Sequence, residues 1–147
     1  MPFVLYQELK NILNTMNNKL DQFGKFFVEN LRDKGISHAE VLLNNKSKAP
    51  SSLDLQSELN KFNDLEKELI MKTVISSIDV AIHDFLFALQ ELADFDDNIK
   101  IMVDDENIVE LSDGIHGESY SDDGWNARYS QFGDAEYNLK TKKGHKN

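Results

Sequence analysis

The sequence contains no cysteine, which excludes disulfides, thiolate metal sites and a cysteine nucleophile. It has two prolines and one tryptophan. Its longest strongly apolar run is the five-residue FLFAL at 85–89, far short of the roughly 20 residues that cross a bilayer. No membrane association is expected. The start, MPFVLYQELK, lacks a basic region followed by a long apolar stretch and a small-residue cleavage site. A cytoplasmic location is therefore expected. Catalytic signatures are missing as well. There is no G-x-S-x-G elbow, no phosphate-binding GxxxxGK[ST], no GxGxxG after a strand, no HExxH and no H-x-H pair. The spacing of a calcium-binding EF-hand loop is not met between 104 and 124.

What is present suffices for a core: 147 residues, 40% of them hydrophobic, nine of them phenylalanine. One domain is expected over 1–138, with a helical part at 1–93, a β meander at 99–132 and a disordered basic tail at 139–147. The formal net charge is −10. Residues 94–123 hold eleven acids and one base, Lys100, so the whole imbalance lies in that segment and the remainder is neutral. A field of that sign repels phosphate, so direct nucleic-acid binding by the folded part is not expected.

The first third is patterned as helix. Leu5, Leu9, Ile12, Leu13, Met16, Leu20, Phe23, Phe27 and Leu31 recur at spacings of three and four. Lys34-Gly35 predicts a stop, and Ser37 with Glu40 has capping-box spacing for a second, short helix to about Asn45. The polar stretch NNKSKAPSS at 44–52 is a connector. A further stripe runs through Leu55, Leu59, Phe62, Leu65 and Leu69 and continues through Ile75, Ile78, Ile82, Phe85 and Leu89. Apolar residues surround residues 70–92 almost completely, which predicts a central, buried helix.

After Asp97 the apolar period falls to two. IKIMV (99–103) and NIVEL (107–111) read as strands joined by DDE, IHGESY (115–120) as a weaker strand and WNARYSQF from Trp125 as another. Asp113-Gly114 and Asp123-Gly124 have the chemistry of hairpin turns. The expected fold is α+β: amino-terminal helices packed on a small carboxy-terminal antiparallel sheet of three or four strands.

Two constellations invite a chemical reading. Asp113, His116 and Glu118, with Asp122 nearby, are potential ligands for a hard cation, although turn chemistry accounts for most of them. Asp79 and His83, four apart on a helix, are potential orienter and general base, with an intrahelical hydrogen bond as the simpler reading. Neither comes with a nucleophile, so no catalytic residue, metal or cofactor is assigned. The acids suit a third role. A localised negative field speeds encounter with a basic protein, and carboxylates along strands and turns can occupy a cleft built for phosphates. The predicted partner-binding residues are Asp104, Asp105, Glu106, Glu110, Asp113, Glu118, Tyr120, Asp122, Asp123 and Trp125, with the two aromatics as anchors.

In length, acidity, lack of cysteine and order of elements, the chain resembles small bacterial immunity and antitoxin-type proteins. The resemblance is one of outline over the whole chain and carries no site residues with it. It implies a non-enzymatic inhibitor that binds over the active site of a basic cognate toxin such as a nuclease. A small metal-assisted hydrolase and a regulatory or structural domain are the alternatives.

Overall fold

The computed structural model describes residues 2–95 and 99–134. The side chains of residues 15–17, including Met16 of the predicted stripe, lie outside the described residues, as do Asp96 and Asp97 of the acidic segment and the predicted tail at 139–147. Among the described residues the protein is mostly helical, with one small antiparallel sheet of two strands.

Helix α1 spans Phe3–Phe27 and passes through a π-helical turn, Val28–Arg32, directly into α2, Asp33–Leu43. The predicted stop at Lys34-Gly35 therefore does not occur. Gly35 is instead a point of close approach, where a Cβ would lie 2.9 Å from Ile78 Cδ1 of the fourth helix. Ser37 does not cap a helix; its Oγ accepts from Gln131 Nε2 at 3.0 Å. The real end lies at Asn45, whose left-handed backbone (φ 56°) accompanies Lys46 N–H donating to the Val41 carbonyl at 2.9 Å.

The connector after α2 is held by Gln56, whose amide exchanges two hydrogen bonds with the Ser47 backbone. Helix α3 covers Leu53–Leu59, and α4 runs from Asp64 to Asp94. Asn63 and Glu66 form a reciprocal capping box that starts α4. The predicted central helix is thus present, but it is buried along one line only. Ile82, Leu86 and Leu89 point inward, while Val80, Phe85 and Phe87 are 43–57% exposed.

Beyond residue 100 the chain becomes compact and irregular. Strands β1 (Met102–Val103) and β2 (Glu106–Asn107) form a hairpin in which Met102 faces Asn107 and Val103 faces Glu106. Ile108–Leu111 and Ile115–Gly117 are 3₁₀ turns, and Trp125–Tyr129 is the short helix α5. The runs predicted as strands at 107–111, 115–120 and 125–132 therefore contribute no further strand to the sheet. Their alternation was misleading because five residues are too few to separate period two from period 3.6: Trp125 and Tyr129 share a face in either geometry.

This irregular segment supplies much of the core. Ile108, Val109, Ile115 and Trp125 are at most 2% exposed and pack with Leu20, Val28, Ile82, Leu86 and Leu89. The indole lies directly against the backbone of Gly24, where any side-chain atom would overlap its ring, and meets the Phe23 ring edge-on at 5.9 Å. Gly24 is needed for that contact.

Candidate functional site

In the segment from 101 to 124, Ile108, Val109 and Ile115 are buried, while Asp104, Asp105, Glu110, Asp113, Asp122 and Asp123 are exposed. Asp104 and Asp105 both adopt positive φ (47° and 66°) at the exposed tip of the hairpin, as a two-residue turn with the right-handed twist of its strands requires. Glu106 follows, and its carboxylate accepts from Lys19 Nζ at 2.9 Å. The Asn107 side chain then accepts from Val109 N–H and starts the 3₁₀ turn. That turn buries Ile108 and Val109 and leaves Glu110 in solvent.

The next loop closes on itself. Ser112 Oγ donates to Glu118 at 2.6 Å and accepts from Gly114 N–H at 3.2 Å, while Gln90 of α4 accepts from Ile115 N–H. Trp125 N–H donates to the Glu118 carbonyl at 2.8 Å. Ser121, with φ 84°, donates its hydroxyl to Asp123 at 2.7 Å. That hydroxyl, helped by Asp123's own backbone, holds the Asp123 carboxyl below the ordinary carboxylate range. The two Asp-Gly pairs are not hairpin turns: Gly114 and Gly124 have φ of −177° and −70°. Gly124 is glycine because a Cβ there would collide with the Tyr120 carbonyl.

These constraints place Glu110, Asp113, Glu118 and Asp123 around one groove of about 660 Å³, completed by Leu13, Leu20 and Asp21 of α1 and by Arg128 of α5. Arg128 is the only base among the described lining residues, and Asp21 engages it with two hydrogen bonds of 2.9 and 3.1 Å. That carboxylate raises the affinity of Arg128 for its proton. The groove thus presents carboxylates, with its single cation already matched. Asp122 lies elsewhere, on a second groove between α2 and α4, and Tyr120 borders both.

The two predicted aromatic anchors separate. Trp125 is completely buried, so it is a core residue and not an exposed anchor, because the irregular segment needs one large side chain to fill the space over Gly24. Tyr120 is half-buried, and its hydroxyl donates to the Asp79 carbonyl at 3.1 Å. Burial, followed by the nearby Asp79 charge, raises its pKa from the ordinary 10.0.

The constellations read as potential chemistry take other arrangements. Asp79 is bound through both oxygens by Arg32, at 2.5 and 3.1 Å, and so does not orient His83. His83 Nδ1 lies 3.2 Å from Asp84. Its ring meets that of His116 at 5.4 Å in a T-shape, with Phe87 against His116 at 5.1 Å. Among the described residues, no three acids and histidines are grouped so as to hold a metal ion, Asp113, His116 and Glu118 included.

Sequence reasoning missed Arg32 and Asp33, both almost fully buried. Besides Asp79, Arg32 donates to Ser130 Oγ and the Gly133 carbonyl; Asp33 accepts from Ser130 Oγ and Gln131 N–H. This network ties the π-helical turn and α4 to the last described residues. A signal was available, since Val28, Arg32 and Ile36 are spaced by four and share one inward face.

No family model, no curated protein and no solved structure matches the chain.

Proposed function

We propose that the protein is a non-enzymatic inhibitor that neutralises a basic protein, in the manner of an immunity protein acting on a nuclease toxin. The observation that carries this reading is the convergence of Glu110, Asp113, Glu118 and Asp123 with Asp21 on one groove whose single base is already paired. A cleft that handles nucleic acid is lined with Lys and Arg spaced for phosphates, and a row of carboxylates on a pre-shaped surface competes for the same cations. Asp104 and Asp105, at the exposed hairpin tip, extend the negative field that steers encounter.

The test is co-purification from the native host at low and high salt, followed by assay of the recovered partner with and without this protein. The expected result is a basic partner whose activity the protein suppresses. Association should slow as salt rises, since charges at a rim act over a Debye length of about 8–10 Å. Glu110→Lys with Asp113→Lys should slow association about tenfold or more at low salt. The unfolding free energy should stay within about 0.5 kcal/mol, as at other exposed sites. A partner bound equally well by that variant, or capture of acidic proteins only, removes this reading.

A further inference from the structure

The second groove has a different chemistry. It runs between α2 and α4 with a volume of about 990 Å³, the upper end of the roughly 300–1,000 Å³ typical of small-ligand pockets. Its α4 wall extends from Glu68 to Asp84, about 25 Å at 1.5 Å per residue. The floor is apolar: Ile36, Met71, Ile75, Val80 and Phe132. The edges carry Glu40, Glu68, Asp84, Asp122 and Asp134. The two described bases that line it are both held by acids, Arg32 by Asp79 and Lys72 by Glu68 at 3.0 Å. Val80 on this surface is 57% exposed among the described residues.

An apolar strip about two and a half helical turns long on α4, from Met71 to Val80, set between two helices and edged by carboxylates, is complementary in shape and charge to one kind of occupant. We infer that this groove receives a basic amphipathic helix of the partner protein, its apolar face on Ile75 and Val80 and its Lys or Arg residues on the acidic edges. Helices recognised in this way present apolar residues at i, i+3, i+4 and i+7. The inference rests on the reading of the protein as a binder of a basic partner, and it adds where and by what element that partner is gripped. The acidic groove steers and matches charge; the α2–α4 groove supplies the apolar contact that slows dissociation.

The probe is a synthetic lysine–leucine peptide of about 17 residues, the length of the α4 wall, with its leucines on one helical face. A control peptide has the same composition but its leucines scattered. Binding is followed by titration calorimetry and by backbone amide shifts of the full chain. The facial peptide should bind about tenfold or more tightly than the scattered one, with shifts along α2 and α4. Val80→Asp should reduce that affinity by a similar factor; the site is exposed, and an unchanged unfolding midpoint verifies the fold. Asp84→Lys with Asp122→Lys should weaken binding as well, whereas Glu110→Lys with Asp113→Lys should change it by no more than about threefold. Equal affinity for the two peptides, or indifference to Val80→Asp, overturns the inference. So does much tighter binding by a chain ending at residue 134, which would make the protein's own carboxy-terminal segment the occupant. The two ideas fail separately. A basic partner fully retained by the Val80→Asp chain removes the helix groove and leaves the acidic groove standing. Facial-peptide binding with no basic partner removes the acidic-groove reading and the partner, and leaves only a groove that takes a basic helix.

Discussion

The amino-terminal half of α1 and the segment from 101 to 134 invert the usual relation between regular structure and burial. The first is unbroken helix, yet its large apolar residues from Phe3 to Leu13 are 44–74% exposed. The second contains four strand residues, two 3₁₀ turns and a five-residue helix, yet it contributes Ile108, Val109, Ile115 and Trp125 to the core. Helical hydrogen bonds are satisfied within the segment itself, so α1 keeps its backbone paired without burying its side chains. An irregular segment has no such ladder. It is held by side chains that fill space and by individually matched hydrogen bonds, which here run through Ser112, Gln90 and the Trp125 backbone.

The sharpest way to break this comparison is to remove one large side chain from each region. Trp125→Ala should cost about 3–5 kcal/mol, because it deletes a fully buried indole and leaves a cavity between Gly24, Phe23 and the 108–115 turns. Leu9→Ala, on the exposed stripe of α1, should change stability by less than about 0.5 kcal/mol. Denaturant unfolding of both variants measures the two numbers. Similar losses at Trp125 and Leu9 would mean that the α1 stripe is covered in solution. The sequence reading placed Phe85 beside Leu89 as core; at 51% exposure, Phe85 belongs with Leu9 instead.

A second break point lies where the irregular segment is tied to the helices. Arg32 is 1% exposed and holds Asp79, Ser130 and the Gly133 carbonyl at once. Arg32→Met should destabilise by about 3–5 kcal/mol, chiefly because it leaves the largely buried Asp79 carboxylate with no cation. Arg32→Met combined with Asp79→Leu should recover much of that loss, since two apolar groups of similar volume need no partner. If the double variant is as unstable as the sum of the singles, the links to Ser130 and Gly133, and not the ion pair, hold the segment in place.

The contrast also explains what could be read from the residues alone. The stripes that gave α1 and α4 repeat over many turns, long enough for a 3.6 period to stand out. The Asp104-Asp105 turn lay in the predicted connector, and the outward projection of the acids followed from their charge. The stop at Gly35 failed because its missing side chain serves helix packing against Ile78 and not chain reversal, a distinction that depends on a residue 43 positions away. The burial of Trp125 was invisible for the same reason: its counterpart is Gly24, 101 positions earlier. Glu110, Asp113, Glu118 and Asp123 were individually legible as candidates. Their convergence with Asp21 was not, since it depends on how the 3₁₀ turns seat against α1.

A smaller effect than at Trp125 or Arg32 is expected at Tyr120, which ties the irregular segment to α4 through its hydrogen bond to the Asp79 carbonyl. Tyr120→Phe should cost about 0.5–1.5 kcal/mol near neutral pH, the usual net contribution of one such bond. The size of that cost should depend on pH. Burial, then Asp79, raises the folded-state pKa above the ordinary value of 10.0, so the folded protein holds the phenolic proton more tightly than the unfolded chain does. The stabilisation linked to that proton is complete below the unfolded value and is lost as pH climbs through the folded one. Urea unfolding of both proteins should therefore show wild type ahead at about pH 8, with the difference shrinking above about pH 10. A difference that stays constant or widens on the alkaline side would mean that Tyr120 is not held as a neutral donor against α4, and that the segment docks there through packing alone.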